Sequence, residues 1–161
     1  MGTAPAEDYA PIAKAWDFSH AKVVADLGGG GSLILAVLGL NPHLQGVLVD
    51  HEASVNAAKS RFAAEDPSSR CELIAADLMQ SVPAGADVYM LKHVLHGRKD
   101  GDAITILKNC RAVIPQNGSL LIVEFILPPL VSHADPQLES HLMSDLNMLA
   151  VTGGRERSER E

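Results

Sequence analysis

Short β-rich runs alternate with helical patterns along most of this chain, and that alternation constrains its fold more than any other feature. KVVADLG leads into an apolar stretch ending at Leu40, and GVLVD leads into HEASVNAAKSRFAAE. CELIAAD follows, then ADVYMLKHV with DAITILKNCRAVI behind it, and a last run reads SLLIVEFIL. Strands joined by crossover helices pair in parallel. Nearly continuous apolarity fits strands covered on both faces. Turn signals stand between the runs at Asn41-Pro42, at Asp66-Pro67-Ser68-Ser69, at Pro83-Ala84-Gly85 and at Pro115-Gln116-Asn117-Gly118. After Leu127, PPLVSHADPQ reads as a linker to one more helical pattern, LESHLMSDLNMLAV. The class predicted is α/β, a mostly parallel sheet with helices on both faces.

A chain of 161 residues suits one domain spanning 1–161. A net charge of −7 repels a polyanion over most of the surface, so nucleic acid is not the expected partner. No apolar run reaches the length needed to span a bilayer, and the opening MGTAPAEDYAPIAKAW carries acids where an export signal would carry lysines. Two cysteines, Cys71 and Cys110, fit a reducing compartment better than a disulfide framework. These features point to a soluble cytoplasmic protein that handles a small molecule. Ser158-Glu159-Arg160-Glu161 has the S-x-x-E form of a helix start. Either this tail frays, or the chain is part of a longer protein whose sheet continues.

Within DLGGGGSLIL, four glycines directly after a strand let backbone approach a ligand that side chains would block. A dinucleotide site uses G-x-G-x-x-G; here Gly28 and Gly30 are followed by Leu33 where the third glycine belongs. Asp26, closing the strand before the loop, would raise the energy of a pyrophosphate by several kcal/mol if both were desolvated. S-adenosylmethionine carries an ammonium and a sulfonium and no phosphate, so the same acid attracts it. Asp50 ends the second strand, where it can accept both ribose hydroxyl protons, and Asp77 ends the third, within reach of an adenine amino group. Singly, each aspartate reads as a turn or cap residue. All three at the carboxyl ends of successive strands line the edge where open α/β sheets bind ligands.

LKHVLHGRKD brings His93 and His96 to that same edge. As metal ligands the two histidines lack a cysteine or carboxylate at metal-site spacing, and as plain side chains they read as partly buried surface residues. As a base, an imidazole can take a proton from a hydroxyl, a role worth roughly 10² to 10⁴ in rate. His96 fits that role if a partner orients its ring. Glu124, a lone acid in LLIVEFIL on a strand expected to be interior, is costly without such a partner. It either pairs with the histidine, as an acid does in a hydrolase triad, or reaches water at the strand end. Glu156, in GGRERSERE, reads on its own as a solvated charge.

Together, DLGGGG, GVLVD, AADL, SVPAGADVYMLKHVLHGRKD, NCRAVIPQNGSLLIVEFILPP and DLNMLAVTGGRERS resemble the small-molecule O-methyltransferases of plants and actinobacteria. That family acts on phenols of phenylpropanoids, flavonoids and aromatic polyketides. The resemblance runs from about Trp16 onward. It implies a Rossmann-like methyltransferase sheet, with His96 as the base and Glu124 and Glu156 flanking it. For S-adenosylmethionine it implies the loop around Asp26, Gly28 and Gly30, Asp50 at the ribose, Asp77 and Leu78 at the adenine, and Lys92 beside the methionine portion. It further implies a small aromatic hydroxyl acceptor, no metal, a homodimer, and, in the family's full length, a helical N-terminal dimerisation region and two closing strands. The glycine loop reads one residue short of the family's D-x-G-G-G-x-G, and Gly97 and Arg98 stand where the family has an acid and a tryptophan. Two other readings compete: a nucleoside-binding module without turnover, and a nicotinamide oxidoreductase, which Asp26 and the missing third glycine disfavour.

Overall fold

The five apolar runs form five parallel strands in the computed structural model, which describes residues 9–65, 70–127 and 138–160. The expected turn at 66–69, the linker at 128–137 and Glu161 lie outside the described residues. In chain order the elements are α1 (Ala10–Lys14), β1 (Val23–Leu27), α2 (Ser32–Leu40), β2 (Gln45–Asp50), α3 (Glu52–Glu65) and β3 (Cys71–Ala75). They continue with β4 (Val88–Lys92), α4 (Asp100–Val113), β5 (Ser119–Val123), β6 (Ile126–Leu127), α5 (Leu138–Thr152) and β7 (Arg157–Ser158). The sheet order is β3-β2-β1-β4-β5, parallel throughout. Chain direction across the sheet therefore reverses between β1 and β4. A crevice opens outside the carboxyl ends of strands at such a switch point.

Side chains alternate between two apolar layers, as a strand's period of two requires. Val24, Val88 and Met90 pack with Leu33, Ile34, Val37 and Phe62 on one face. Ala25, Leu27, Tyr89 and Leu91 pack with Ala103, Ile106 and Cys110 on the other. Helices thus cover both faces, as the sequence predicts.

One run departs from expectation. SLLIVEFIL is not a single interior strand: β5 stops at Val123 and lies at the end of the sheet among the described residues. Glu124 and Phe125 leave the ladder, and Ile126–Leu127 pairs instead with Arg157–Ser158. The reason lies in Glu124, whose Oε1 accepts the amides of Val94 and Leu95 at 3.0 and 2.8 Å. Its carboxylate serves the turn after β4 and takes its own backbone out of register.

Candidate functional site

The glycine loop between β1 and α2 is built from left-handed backbone: φ is +72° at Gly28, +67° at Gly30 and +86° at Gly31. At Gly31 the bare Cα also serves internal packing, since a Cβ there would come within 2.6 Å of the Phe62 ring on α3. Gly28 faces the crevice, where a Cβ would sit 3.2 Å from Val94. Arg61 of α3 braces the loop by donating to the Gly30 carbonyl and, at 2.9 Å, to Ser32 Oγ. The sequence offers no signal for that brace, because Arg61 reads as one more charge on a polar helix.

Asp26 lies beneath the loop and not at its open side. It is fully buried, neither carboxylate oxygen has a hydrogen-bond partner among the described residues, and a Cβ on Gly29 would fall 2.3 Å from Oδ1. Burial pushes its carboxyl up to about 7, against the pull of the Lys92 ammonium and with the push of Asp50. Lys92, at the end of β4, is buried with its ammonium over the Tyr9 ring at 4.6 Å and 3.4 Å from His93 Nδ1.

A cavity of about 460 Å³ opens at the switch point, lined by Gly28, Asp50, Leu78, His93, His96 and Thr152 among others. Of the residues singled out in the sequence, Gly28, Asp50, Leu78 and His96 meet there; Asp26, Gly30, Asp77 and Lys92 are not on its wall. Asp50 is buried, with Oδ1 taking the His51 amide at 2.7 Å. Asp77 is exposed, and its Oδ1 caps the following turn by accepting the Met79 amide at 2.9 Å.

His96 stands between two glutamates. Its Nδ1 lies 2.8 Å from Glu156 Oε1 and 3.8 Å from Glu124 Oε2. With Nδ1 donating to Glu156, the imidazole leaves Nε2 as its free, basic nitrogen. Glu156 is only 2% exposed; Ser144 Oγ donates to the same Oε1 at 2.7 Å, and its own amide donates to Asp145 Oδ1 at 2.8 Å. The solvated charge read from the sequence is thus a buried one. Glu124, the acid expected to orient the ring, mainly holds the backbone of the turn, and burial pushes its carboxyl above the usual range while the nearby His96 pulls it down. The cluster differs in membership from the histidine pair weighed in the sequence. His93 is no part of it, but His96, Glu124 and Glu156 each offer a ligand atom within 4.8 Å of the others.

The segment carrying Glu156 is clamped onto the turn carrying His96. Arg157 donates to the carbonyls of Leu95 and Arg98 at 2.8 and 3.0 Å and to Asp100 at 2.9 Å, while Arg155 reaches the other Asp100 oxygen at 3.0 Å. These two guanidiniums hold the Asp100 carboxyl below its ordinary value. Gly154 permits the approach: a Cβ there would lie 2.1 Å from the His96 carbonyl oxygen. His93, at φ +52°, stacks on His96 at 5.2 Å and meets Phe125 at 5.0 Å, which in turn meets His141 at 4.9 Å. Burial, aided by Lys92 and His96, pushes His93 down to about 4, so its ring is uncharged at neutral pH. Ser144, Arg157, Gly154 and His93 carry roles that sequence reasoning did not give them.

A parallel five-stranded sheet with helices on both faces and a crevice at the switch point is a Rossmann-like architecture, and the solved structures that superpose on it below are methyltransferases. The family model of the O-methyltransferase domain matches residues 9–161. The chain belongs to this O-methyltransferase family. It is 35% identical to a mitomycin biosynthesis 6-O-methyltransferase of Streptomyces lavendulae, over all of this chain and 45% of the relative. It is 39% identical to the phenazine O-methyltransferase PhzM of Lysobacter antibioticus, over 91% of this chain and 42% of that one. A protein named aclacinomycin 10-hydroxylase, from Streptomyces purpurascens, is 34% identical over 95% of this chain and 40% of its own. Among solved structures, mitomycin 7-O-methyltransferase MmcR superposes with a TM-score of 0.88 at 33% identity, covering 96% of this chain and 44% of that one. The O-methyltransferase NcsB1, in complex with S-adenosylmethionine and 2-hydroxy-5-methyl naphthoic acid, superposes at 0.80 with 31% identity, covering 93% and 43%. The chain therefore spans less than half the length of the curated relatives it matches. Among the described residues, no helix is long and apolar enough to cross a membrane.

Proposed function

We propose that this chain carries the donor site and the base of an S-adenosylmethionine-dependent O-methyltransferase acting on a hydroxyl, phenolic in character, of a small aromatic molecule. The observation that carries the reading is the His96 imidazole, held through Nδ1 by buried Glu156 at 2.8 Å, on the wall of a cavity shared with Gly28 and Asp50. That cavity has the size of a small-molecule site. Of its charged walls, Asp50 and Asp102 suit a ligand with cationic groups, with Arg98 also on the lining. Asp50 would accept from the ribose hydroxyls, Leu78 would pack on the adenine, and Gly28 would leave room for the backbone to close on the ligand. Asp26, beneath the loop, and Lys92, at the end of β4, would act from behind the cavity wall and not through contact; Asp77 would take its part at the adenine from the rim. The donor supplies a methyl group on a positively charged sulfur.

The chain's own part in the reaction is proton removal and positioning. Nε2 of His96 takes the hydroxyl proton, and Glu156 stabilises the imidazolium so formed. This makes the hydroxyl reactive through an organic base, with no divalent cation in the reaction. Holding the acceptor oxygen in line with the transferred group supplies much of the remaining acceleration. The uncharged stack of His93 and Phe125 supports an aromatic acceptor, as does the naphthoic acid in the NcsB1 complex. In the whole protein we place a homodimer, supported by the exposed apolar side chains Met143, Leu146, Leu149 and Val151 along α5. Two cysteines in 161 residues, too few for a disulfide framework, support a cytoplasmic setting.

Because a relative of similar identity is named a hydroxylase, family alone does not specify methyl transfer; the His96–Glu156 pair is what favours it. Calorimetric titration with S-adenosylhomocysteine and, separately, with NAD tests the donor site. Binding of the former alone is expected, and binding of neither overturns the ligand reading. In a methyl-transfer assay over a panel of phenols, His96→Ala is expected to lower the rate roughly 10²- to 10⁴-fold. An unchanged rate removes His96 from the mechanism, whereas donor binding with no methyl transfer by the wild type leaves a nucleoside-binding module.

A further inference from the structure

We propose that His96, Glu124 and Glu156 also form a binding site for one divalent transition-metal ion of the Zn²⁺ type, and that its occupation switches the base off. Each glutamate is fastened by one oxygen only. Glu124 Oε1 takes the amides of Val94 and Leu95, and Glu156 Oε1 takes Ser144 Oγ and His96 Nδ1. The second oxygen of each, Oε2, is buried without a hydrogen-bond partner among the described residues, and the Glu156 side chain is entirely shielded from solvent. Two buried carboxylate oxygens without hydrogen-bond partners, that of Glu124 lying 3.8 Å from the imidazole, are costly as they stand. A cation is what two such oxygens and a ring nitrogen can hold together.

The donor set selects the ion. One nitrogen and two carboxylates in a three-ligand set with an open position suit Zn²⁺, whereas Ca²⁺ asks for six or more oxygens and Mg²⁺ for a near-octahedral shell rich in water. Ligands about 2.0–2.2 Å from a tetrahedral ion lie roughly 3.4 Å from one another. The atoms lie within 4.8 Å of one another, so the set stands close to that spacing before any ion enters. Support for the ligands is in place, because Ser144 and the two turn amides orient the carboxylates from behind. An entry path exists as well. A cavity of about 580 Å³ on the β5 side is lined by His96, Glu124, Phe125 and Glu156, with Arg157 at its wall.

Occupation has a defined chemical cost. The ring takes its other tautomer: the proton leaves Nδ1, one is taken up from solvent at Nε2, and the freed Nδ1 lone pair goes to the metal, while Glu156 turns from hydrogen-bond acceptor to metal ligand. The imidazole then loses both the partner that supports its charged form and the basicity of Nε2. Binding itself is independent of the proposed reaction; the loss of turnover rests on it.

The test is calorimetric titration of the 161-residue protein, cleared with EDTA, with Zn²⁺ alone. Co²⁺ in a parallel sample reports ligand type by its visible spectrum. One equivalent is expected, with tetrahedral bands and no thiolate charge-transfer band. Glu156→Gln and Glu124→Gln, isosteric and checked for fold by circular dichroism, are expected each to abolish it. Ser144→Ala, which removes only the support behind Glu156, is expected to weaken it roughly ten- to a hundredfold. No binding by the wild type, binding unchanged in both glutamine variants, or a thiolate band each overturns the site. Zn²⁺ that binds there and leaves methyl transfer unaffected overturns the switch. Zn²⁺ binding in a protein that does not bind S-adenosylhomocysteine upholds the site and counts against the transferase reading alone.

Discussion

The two glutamates around His96 do different work at the residue scale, and substitution separates them. Glu156→Gln keeps the volume but removes the charge that supports an imidazolium, so kcat is expected to fall roughly 10²- to 10⁴-fold. Glu124→Gln mainly weakens two hydrogen bonds to the turn and is expected to cost about 1–3 kcal/mol in stability with a smaller effect on kcat. Steady-state kinetics and thermal unfolding on both variants check this, and a larger kcat loss at Glu124 would reverse the assignment. Position in the sequence concealed the distinction. Glu124 stands out because its neighbours are apolar, whereas Glu156 sits in a charged run and is buried by Ser144, Asp145 and His96, the last 60 positions away. No local pattern encodes burial that depends on such distant partners.

At the scale of elements, the strands were readable because a doubly covered parallel sheet demands continuous apolar runs, and all five runs became strands. The break in SLLIVEFIL was not readable, since it follows from where the turn after β4 presents its amides. The loop between β1 and α2 was legible as glycine-rich, but the share of its glycines owed to Phe62 required the packing of α3. The Gly153–Ser158 segment behaves as a clamp whose closeness depends on one missing side chain. Gly154→Ala would place a Cβ 2.1 Å from the His96 carbonyl oxygen, against backbone that cannot yield cheaply. Its expected result is a loss of about 2 kcal/mol or more by chemical denaturation, together with a fall in kcat that the same substitution at Gly101, where nothing lies within 4 Å of an added Cβ, does not produce.

For the whole molecule, the sheet order decides which distant residues meet, and the switch point between β1 and β4 gathers Gly28, Asp50, Leu78 and His96 in one crevice. Stability across pH bears the mark of Asp26. Its folded carboxyl titrates at about 7 against 3.8 for the ordinary value, so between those values the folded state holds a proton the unfolded state has released. Stability therefore declines as pH rises through that window, by at most about 1.4 kcal/mol per pH unit from this group. Asp26→Asn removes the titration, and the difference between the two proteins in urea unfolding at a series of pH values is expected to widen from about pH 4 to 7 and then level off. A constant difference would show that Asp26 stays charged in the folded protein.

The clamp formed by Gly154, Glu156 and Arg157 also orders events in time. A ribosome makes the sheet, the glycine loop and His96 before it makes Glu156, so a growing chain can assemble the crevice while its imidazole still lacks the carboxylate that sets it. The carboxylate that meets the imidazole belongs to the last few residues of the described chain.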